Sequence, residues 1–571
     1  MGDSVGQVLG TDPKGISTWP RRLVHLPSFS SLEWQPGHTY GPHQHPKYNA
    51  ISYTWGRFRL DTRRNLTEAL RKVKGIGIDN CPWTVPPIDP ARFTVEEFRT
   101  ALHNAATSDG GGGVSARGHQ FVWLDVACID QSADAGKLEI GRQAAIFRGA
   151  QRVYIWLTKF LSPKLEKILT DVVDSSRRLL LIQNGAAYST AEEMGESIEV
   201  LDTVKNALDD LCSDPWFSSL WTLQEAFLCP QACFMFRDGQ IVSTQRLTNL
   251  VDLCELAWVI NEVAEWLLAQ FPVPKSDYLW LQRCDEISSI IKERGLLVLR
   301  SQNPMLLYSA AGKRTATEDH DYVYGIQQIF DCRLGNSAEG AIQRTYSRYE
   351  LEIQLGGQLL QKYPVESQMH VFSEPAEDQH GWCISMASRI PQEDGWMHMR
   401  HLMTQKLVSE CTLGLYRSGN RAVARFSGKS CSFAEFRQAA CNEVGPMMEK
   451  GQGFCIALDT TRQVPLDEPP QYRTLDAVKD QRCGEEQIQL AEWLQSCYEG
   501  SSFIVLLLGR HGSPDYDLGT WFSERSIGLL LVKNVQEVDN QPYWKRIGFA
   551  VWDKEVHEMI KAWSEANGLF R

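Results

Sequence analysis

No stretch of this chain is apolar enough to cross a bilayer. The longest unbroken apolar run is Phe503–Leu508, against the ~20 residues that a spanning helix needs. The first residues, MGDSVGQVLGTDPKG, show no basic segment followed by an apolar stretch, so no secretory leader is expected. Gly6 stands where a myristoylation signal wants Ser or Thr. Excess positive charge is missing as well: the formal net charge is −12, which gives no general drive toward nucleic acid or anionic lipid. The 15 cysteines follow no framework, and Cys229 and Cys233 have no second pair at zinc-ribbon spacing, so free thiols in a reducing compartment are expected. The glycine run in Asp109–Gly118 lacks the Lys-Ser/Thr that closes a phosphate loop. It reads as a surface insertion, and an in-cis nucleotide switch of the P-loop type is not expected. These absences predict a soluble, cytoplasmic protein with no membrane span and no nucleic-acid partner.

What is present is an ordinary globular composition, 43% hydrophobic and 22% charged, over 571 residues. That length suits three or four domain-sized units, or fewer large ones. His43 and His45 form an H-x-H with His38 nearby, but in a Gly/Pro-rich loop without Cys or acidic neighbours. A solvated loop is the simpler reading than a metal site.

Three apolar blocks stand out. YNAISYTWG (Tyr48–Gly56) is β-prone and closes on a glycine, as a buried strand running into a sharp turn does. QFVWLDVACIDQ (Gln120–Gln131), LEIGRQAAIFRGA (Leu138–Ala150) and RVYIWL (Arg152–Leu157) read as strand, helix and strand. Short loops between them imply a right-handed parallel crossover. Asp125 and Asp130 then fall at the carboxyl end of the first strand, where open α/β sheets place ligand sites. Asp130 equally suits a cap on the turn that follows.

The third block is DPWFSSLWTLQEAF (Asp214–Phe227). Asp214 before Pro215 reads as a helix start. Trp221 and Glu225, four residues apart, share one helix face. Glu225 is either a structural carboxylate or a catalytic one in a partly apolar pocket, and spacing alone does not separate the two. Beyond this block CFMFRDG and QIV (233–242) read as a hairpin or strand end, and from 243 the pattern is helical to about residue 363. From about residue 370 it mixes helices with strands, and FIVLLLGR, SIGLLLVKN and YWKRIGFAVW suggest an antiparallel sheet.

Read together and in this order, the blocks resemble the three signature blocks of the fungal heterokaryon-incompatibility (HET) domain. RTATEDHDYVYGI (Arg314–Ile326) resembles the Asp-rich turn and helix that commonly follows that domain. The resemblance implies a role in non-self recognition and regulated cell death, through self-association or other cell-death proteins. It implies a flavodoxin- or TIR-like fold, an α/β parallel sheet with helices, in the N-terminal half, which the residue patterns follow with a mainly helical middle and an α+β C-terminal part with an antiparallel sheet. The corresponding domains are 20–232, with an insertion at about 75–118, then 233–370 and 371–571.

Some TIR domains cleave NAD at the nicotinamide–ribose bond, and their Ser-x-Trp-x-x-x-Glu spacing is met by Ser219, Trp221 and Glu225. Thr222 stands where a Cys often follows the Trp, and Ser219 where HET sequences usually carry Arg. By this resemblance Glu225 is the catalytic carboxylate, facing the oxocarbenium charge that develops on the ribose. Trp221 and Trp55 are candidates to stack on the bases, Arg57 to meet a phosphate, and Asp125 or Asp130 to hold a ribose hydroxyl or orient water. NAD is then a substrate, and no cofactor or metal is required. The alternative is a non-catalytic signalling module acting through self-association.

Overall fold

The computed structural model describes residues 15–571 apart from residues 17, 61–67, 69–72, 74, 108–118, 131–134, 185–190, 243–246, 271–277, 302–303, 342–343, 373–380, 387, 391–405, 419–420, 448–453, 460–482, 513–524 and 535–540. The glycine run expected as an insertion lies outside the described residues. Two units separate by their contacts: Met1–Gln302 with Lys313–Ser347, and Asn303–Gly312 with Arg348–Arg571.

The first unit is built on a sheet of eight strands: β1 (Arg22–His25), β2 (Ser30–Gln35), β3 (Thr39–Tyr40), β4 (His43–Gln44), β5 (Tyr48–Ser52), β6 (Phe121–Trp123), β7 (Val153–Trp156) and β8 (Cys233–Met235). Their order is β4-β3-β2-β1-β6-β5-β7-β8. Strands β6, β5, β7 and β8 run parallel, and β1 joins β6 antiparallel. Of these, β5, β6 and β7 are short and buried throughout, as strands covered on both faces must be. Successive side chains of β5 show the two covers. The Tyr48 hydroxyl donates to the Ile146 carbonyl in helix Gln143–Gly149, and the Asn49 amide donates to the Ala105 carbonyl in helix Val95–Thr107. Neighbours on a strand point to opposite faces, so these helices lie on opposite sides of the sheet.

From β5 the chain crosses to β6 on one side, then returns past β5 to β7 on the other. The strand order therefore reverses at β5, which makes the carboxyl end of β5 a topological switch point. Two expectations need adjusting. The strand read through Gln120–Gln131 is three residues long, and Asp125–Cys128 is already a helical turn. The helix read through Leu138–Ala150 is broken at Gly141 and Arg142. A Cβ on Gly141 would meet the Ser337 carbonyl oxygen at 2.6 Å, so the break lets a distant segment approach closely.

Long amphipathic helices complete this unit, among them Ser162–Asn184, Ala191–Cys212, Leu250–Gln270 and Leu279–Glu293. Among the described residues no helix is long and apolar enough to cross a membrane.

In the second unit a two-stranded piece, β9 (Val371–Phe372) and β10 (Ser388–Arg389), precedes the main sheet. That sheet holds β11 (Lys406–Ser409), β12 (Cys411–Ser418), β13 (Arg421–Ser432), β14 (Phe454–Leu458), β15 (Phe503–Gly512), β16 (Arg525–Lys533), β17 (Tyr543–Asp553) and β18 (Ser564–Phe570). Apart from a short parallel contact between β17 and β18, its pairings are antiparallel, as the sequence led us to expect. Alternation along β15 explains its two cores. Leu506 and Leu508 join one with Ile353 and Leu360, while Val505 and Leu507 join the other with Phe436 and Leu494.

Candidate functional site

Asp214 begins the segment that carries Glu225. Its carboxylate accepts from the backbone N–H of Trp216 at 2.9 Å and from that of Lys159 at 2.9 Å, which ties the cap to the chain just after β7. Pro215 then opens a single 3-10 turn, Pro215–Ser218. The sequence suggested one helix from Pro215 onward. Instead Ser219 is extended, with φ −81° and ψ 138°, and a new helix runs over Leu220–Leu228. Thr222 secures the bend by donating to the Trp216 and Ser219 carbonyls.

This bend turns Trp216 inward, fully buried, where its indole N–H donates to the Ser52 hydroxyl oxygen at 2.8 Å. Ser52, the last residue of β5, in turn hydrogen-bonds the Glu225 carboxyl. The neighbouring Tyr53 hydroxyl hydrogen-bonds Asp125, two residues past the end of β6. Two carboxyl groups thus meet at the carboxyl ends of β5 and β6, each with a hydroxyl partner from the same strand end.

Their electrostatics are unusual. Burial pushes the Glu225 carboxyl up to about 8, with the Asp125 charge adding to it and the Ser52 hydrogen bond opposing it. Burial pushes Asp125 up to about 6, opposed by the Val126 N–H at 2.6 Å and by Tyr53. The two proton affinities are thus pushed apart, with Glu225 the carboxyl that holds its proton more tightly and Asp125 the one that ionises more readily. Glu225 Oε2 is shut off from solvent and has no hydrogen-bond partner among the described residues. A buried acceptor in that condition costs free energy, of order 1–3 kcal/mol.

The other expected site residues are distributed differently. Trp221 is half-buried on the Glu225 helix, and its indole N–H is taken by the Asp321 carboxylate. Trp55 and Arg57 lie in the helical turn Trp55–Phe58 directly after β5, but their side chains fall outside the described residues. Asp130 sits half-buried beyond the Asp125–Cys128 turn, where its charge acts on the Cys81 thiol. The expected residues brought together are Glu225 and Asp125. Ser52, Tyr53 and Trp216 were not expected at the site, although polar Ser52 inside a greasy strand was a usable signal.

The histidines of the N-terminal loop divide between two aromatic stacks. His43 packs on His25 and Phe121, and His45 on His38 and Trp19. Among the described residues no group of three or more His, Cys, Asp or Glu side chains could hold a metal ion.

The fold and this pair define an α/β protein with a two-carboxyl site at the switch point of a parallel sheet. Residues 48–225 match the model of the heterokaryon incompatibility protein (HET) family, a span that opens on the first residue of β5 and closes on Glu225. Over those residues the chain is similar to a HET domain. No curated protein and no solved structure gives a significant match to it.

Proposed function

We propose that this protein is a HET-domain effector of fungal non-self recognition and regulated cell death that hydrolyses NAD at the nicotinamide–ribose bond. The observation that supports this reading is the Glu225–Asp125 pair: two half-buried carboxyls with separated proton affinities, set at the switch point of the sheet.

The nicotinamide ring of NAD is cationic. Seated over Glu225, it supplies the opposite charge that burial denies, and so favours the ionised carboxylate. Glu225 then faces the positive charge that develops on the ribose as the C–N bond breaks. Nicotinamide leaves neutral with the bonding electron pair. A water oxygen adds to the ribose carbon, and its proton passes to Asp125 and on to solvent. Products are nicotinamide, ADP-ribose and one proton, and the step needs no cofactor.

The test is nicotinamide release by concentrated full-length protein, wild type against Glu225→Gln and Asp125→Asn. Turnover in the wild type, with a loss of at least about a hundredfold in Glu225→Gln, is expected, since general acid–base and electrostatic groups contribute roughly 10²–10⁴-fold. No turnover in any of the three, even when crowded, would sink the enzymatic reading. Binding offers a separate check: NAD should release up to one proton from the wild type at pH 7 and none from Glu225→Gln, by calorimetry in buffers of different ionisation heat.

The sealed Oε2 favours a second reading, in which the domain is a non-catalytic signalling module acting through self-association or other cell-death proteins. Expression in a fungus separates the two. A Glu225→Ala chain that kills as well as the wild type supports the module.

A further inference from the structure

The HET match ends at Glu225, yet the helix carrying Glu225 is gripped from well outside that span. After Asn303–Gly312, which belong to the second unit, the chain rejoins the first unit at Lys313. Four residues of the returning segment then hold the stretch from Trp216 to Gln224. Arg314, 2% exposed, donates to the carbonyls of Trp216 and Ser219 at 3.4 and 3.0 Å and to the Thr222 hydroxyl at 3.2 Å. Thr315 exchanges backbone hydrogen bonds with Ser218 and Leu220, at 2.9 and 3.1 Å. The Asp321 carboxylate accepts the Trp221 indole N–H, one helical turn before Glu225. The Gln328 backbone N–H donates to Gln224 Oε1 at 3.0 Å. Gly325 permits the close approach, since a Cβ there would come within 3.1 Å of Leu220.

We propose that Lys313–Phe330 is a working part of the HET-domain site, with Arg314 and Asp321 as positioning residues for Glu225. Arg314 fixes the bend at Ser219, and that bend sets two things at once. It aims Trp216 at Ser52, whose hydroxyl meets Glu225, and it sets the start of the helix on which Glu225 rides. Asp321 fixes the indole beside Glu225 on the same face. A buried guanidinium shared among carbonyls, and a carboxylate holding an indole, specify orientation more sharply than apolar packing does, because each loses its partner if the helix turns. The inference rests on Glu225 as the reacting carboxyl, but the grip on its helix can be read without any reaction.

The experiment uses the full-length chain carrying Asp321→Leu, which removes the acceptor, or Asp321→Asn, which keeps a neutral one. Hydrogen exchange over residues 214–228 reports the grip, and nicotinamide release from NAD reports the site. In Asp321→Leu, exchange over 214–228 is expected to rise about tenfold, as loss of a charge-assisted hydrogen bond implies, while β15–β17 keep wild-type exchange. Turnover is expected to fall about tenfold, with a shifted pH–rate profile, and Asp321→Asn to recover most of both. Unchanged exchange in both variants overturns the positioning role. So does wild-type turnover and pH profile in Asp321→Leu. If Asp321→Leu does not fold, the Asp321→Asn chain decides: an unmoved Trp221 indole N–H resonance, assigned through Trp221→Phe, overturns the proposal. Faster exchange in variants of a chain that never turns NAD over sinks the hydrolase reading and leaves the positioning of Glu225 standing.

Discussion

Asp459 in the second unit and the Glu225–Asp125 pair in the first are held in opposite ways. In the second unit Asp459 lies beside the fully buried Arg546, at 3.7 Å, and accepts the Phe372 N–H. Arg546 also donates to the His370 and Gln368 carbonyls and to His370 Nε2 at 2.8 Å. His370 Nδ1–H donates to the Ser367 carbonyl, which leaves Nε2 as the acceptor, and burial with the Arg546 charge holds this imidazole neutral. In the first unit, among the described residues, no cation acts on Glu225 or Asp125, and hydroxyl and amide donors are their support. A buried charge with a buried countercharge can be explained by the fold alone. Two carboxyls raised by burial, with the Asp125 charge raising Glu225 further, are harder to explain that way, and that contrast makes the N-terminal pair the candidate site.

The contrast is broken most forcefully from the structural side. Arg546→Leu leaves Asp459 charged, buried and without its cation, and should cost about 3–5 kcal/mol. Denaturant unfolding should show that loss, and hydrogen exchange should place it in β14–β17. Adding Asp459→Asn should recover a large part, because the uncompensated charge is then gone. A small effect of Arg546→Leu would mean that the second unit does not need its ion pair, and the comparison would lose its reference.

A smaller effect is expected at the link between the bend and the site. Trp216→Phe keeps a buried ring but removes the indole N–H that supports Ser52. One unmade buried hydrogen bond predicts a loss of about 1–3 kcal/mol, read by thermal unfolding. Trp216→Phe combined with Ser52→Ala should cost less than the two changes added, since they remove the same bond from its two ends.

Much of this arrangement was legible in the chain, and the parts that were not share a cause. The apolar blocks around Tyr48, Phe121 and Val153 gave the parallel strands, and the acidic residues closing or following them gave Asp125 and Glu225. Ser52 and Tyr53 were hidden because a polar residue inside an apolar strand has no periodicity of its own. The break at Ser219 follows from partners distant in sequence: Arg314 and Thr315 lie across an excursion into another unit, so no local pattern announces them. The early end of β6 has the same origin, since Asp125 turns to meet Tyr53 from the neighbouring strand. Local pattern gave the elements and two of the candidate site groups. Long-range hydrogen bonds decided where the elements stop.

The gentlest way to sharpen the comparison is to titrate it. Glu225 is raised from 4.5 to about 8 in the folded chain, so between those values the native state binds more protons than the unfolded one. Stability from this residue is therefore fully present below 4.5 and lost as pH rises through 8, opposite in sign to an ordinary ion-paired carboxylate. A single proton limits the slope to about 1.4 kcal/mol per pH unit, and the actual slope should be lower because Glu225 keeps some exposure. Glu225→Gln removes the titration. Its melting temperature should fall less steeply than that of the wild type from pH 5 to 8, with the two curves nearest in slope below 4.5. Parallel curves across the whole range would mean that Glu225 ionises freely in the folded chain, and it would then no longer differ from any surface carboxylate. A wild-type curve steepest between about 4.5 and 6 and shallower from about 6 to 8 would assign the first proton lost to Asp125 and the second to Glu225, the sequence that the hydrolytic reading requires of the pair.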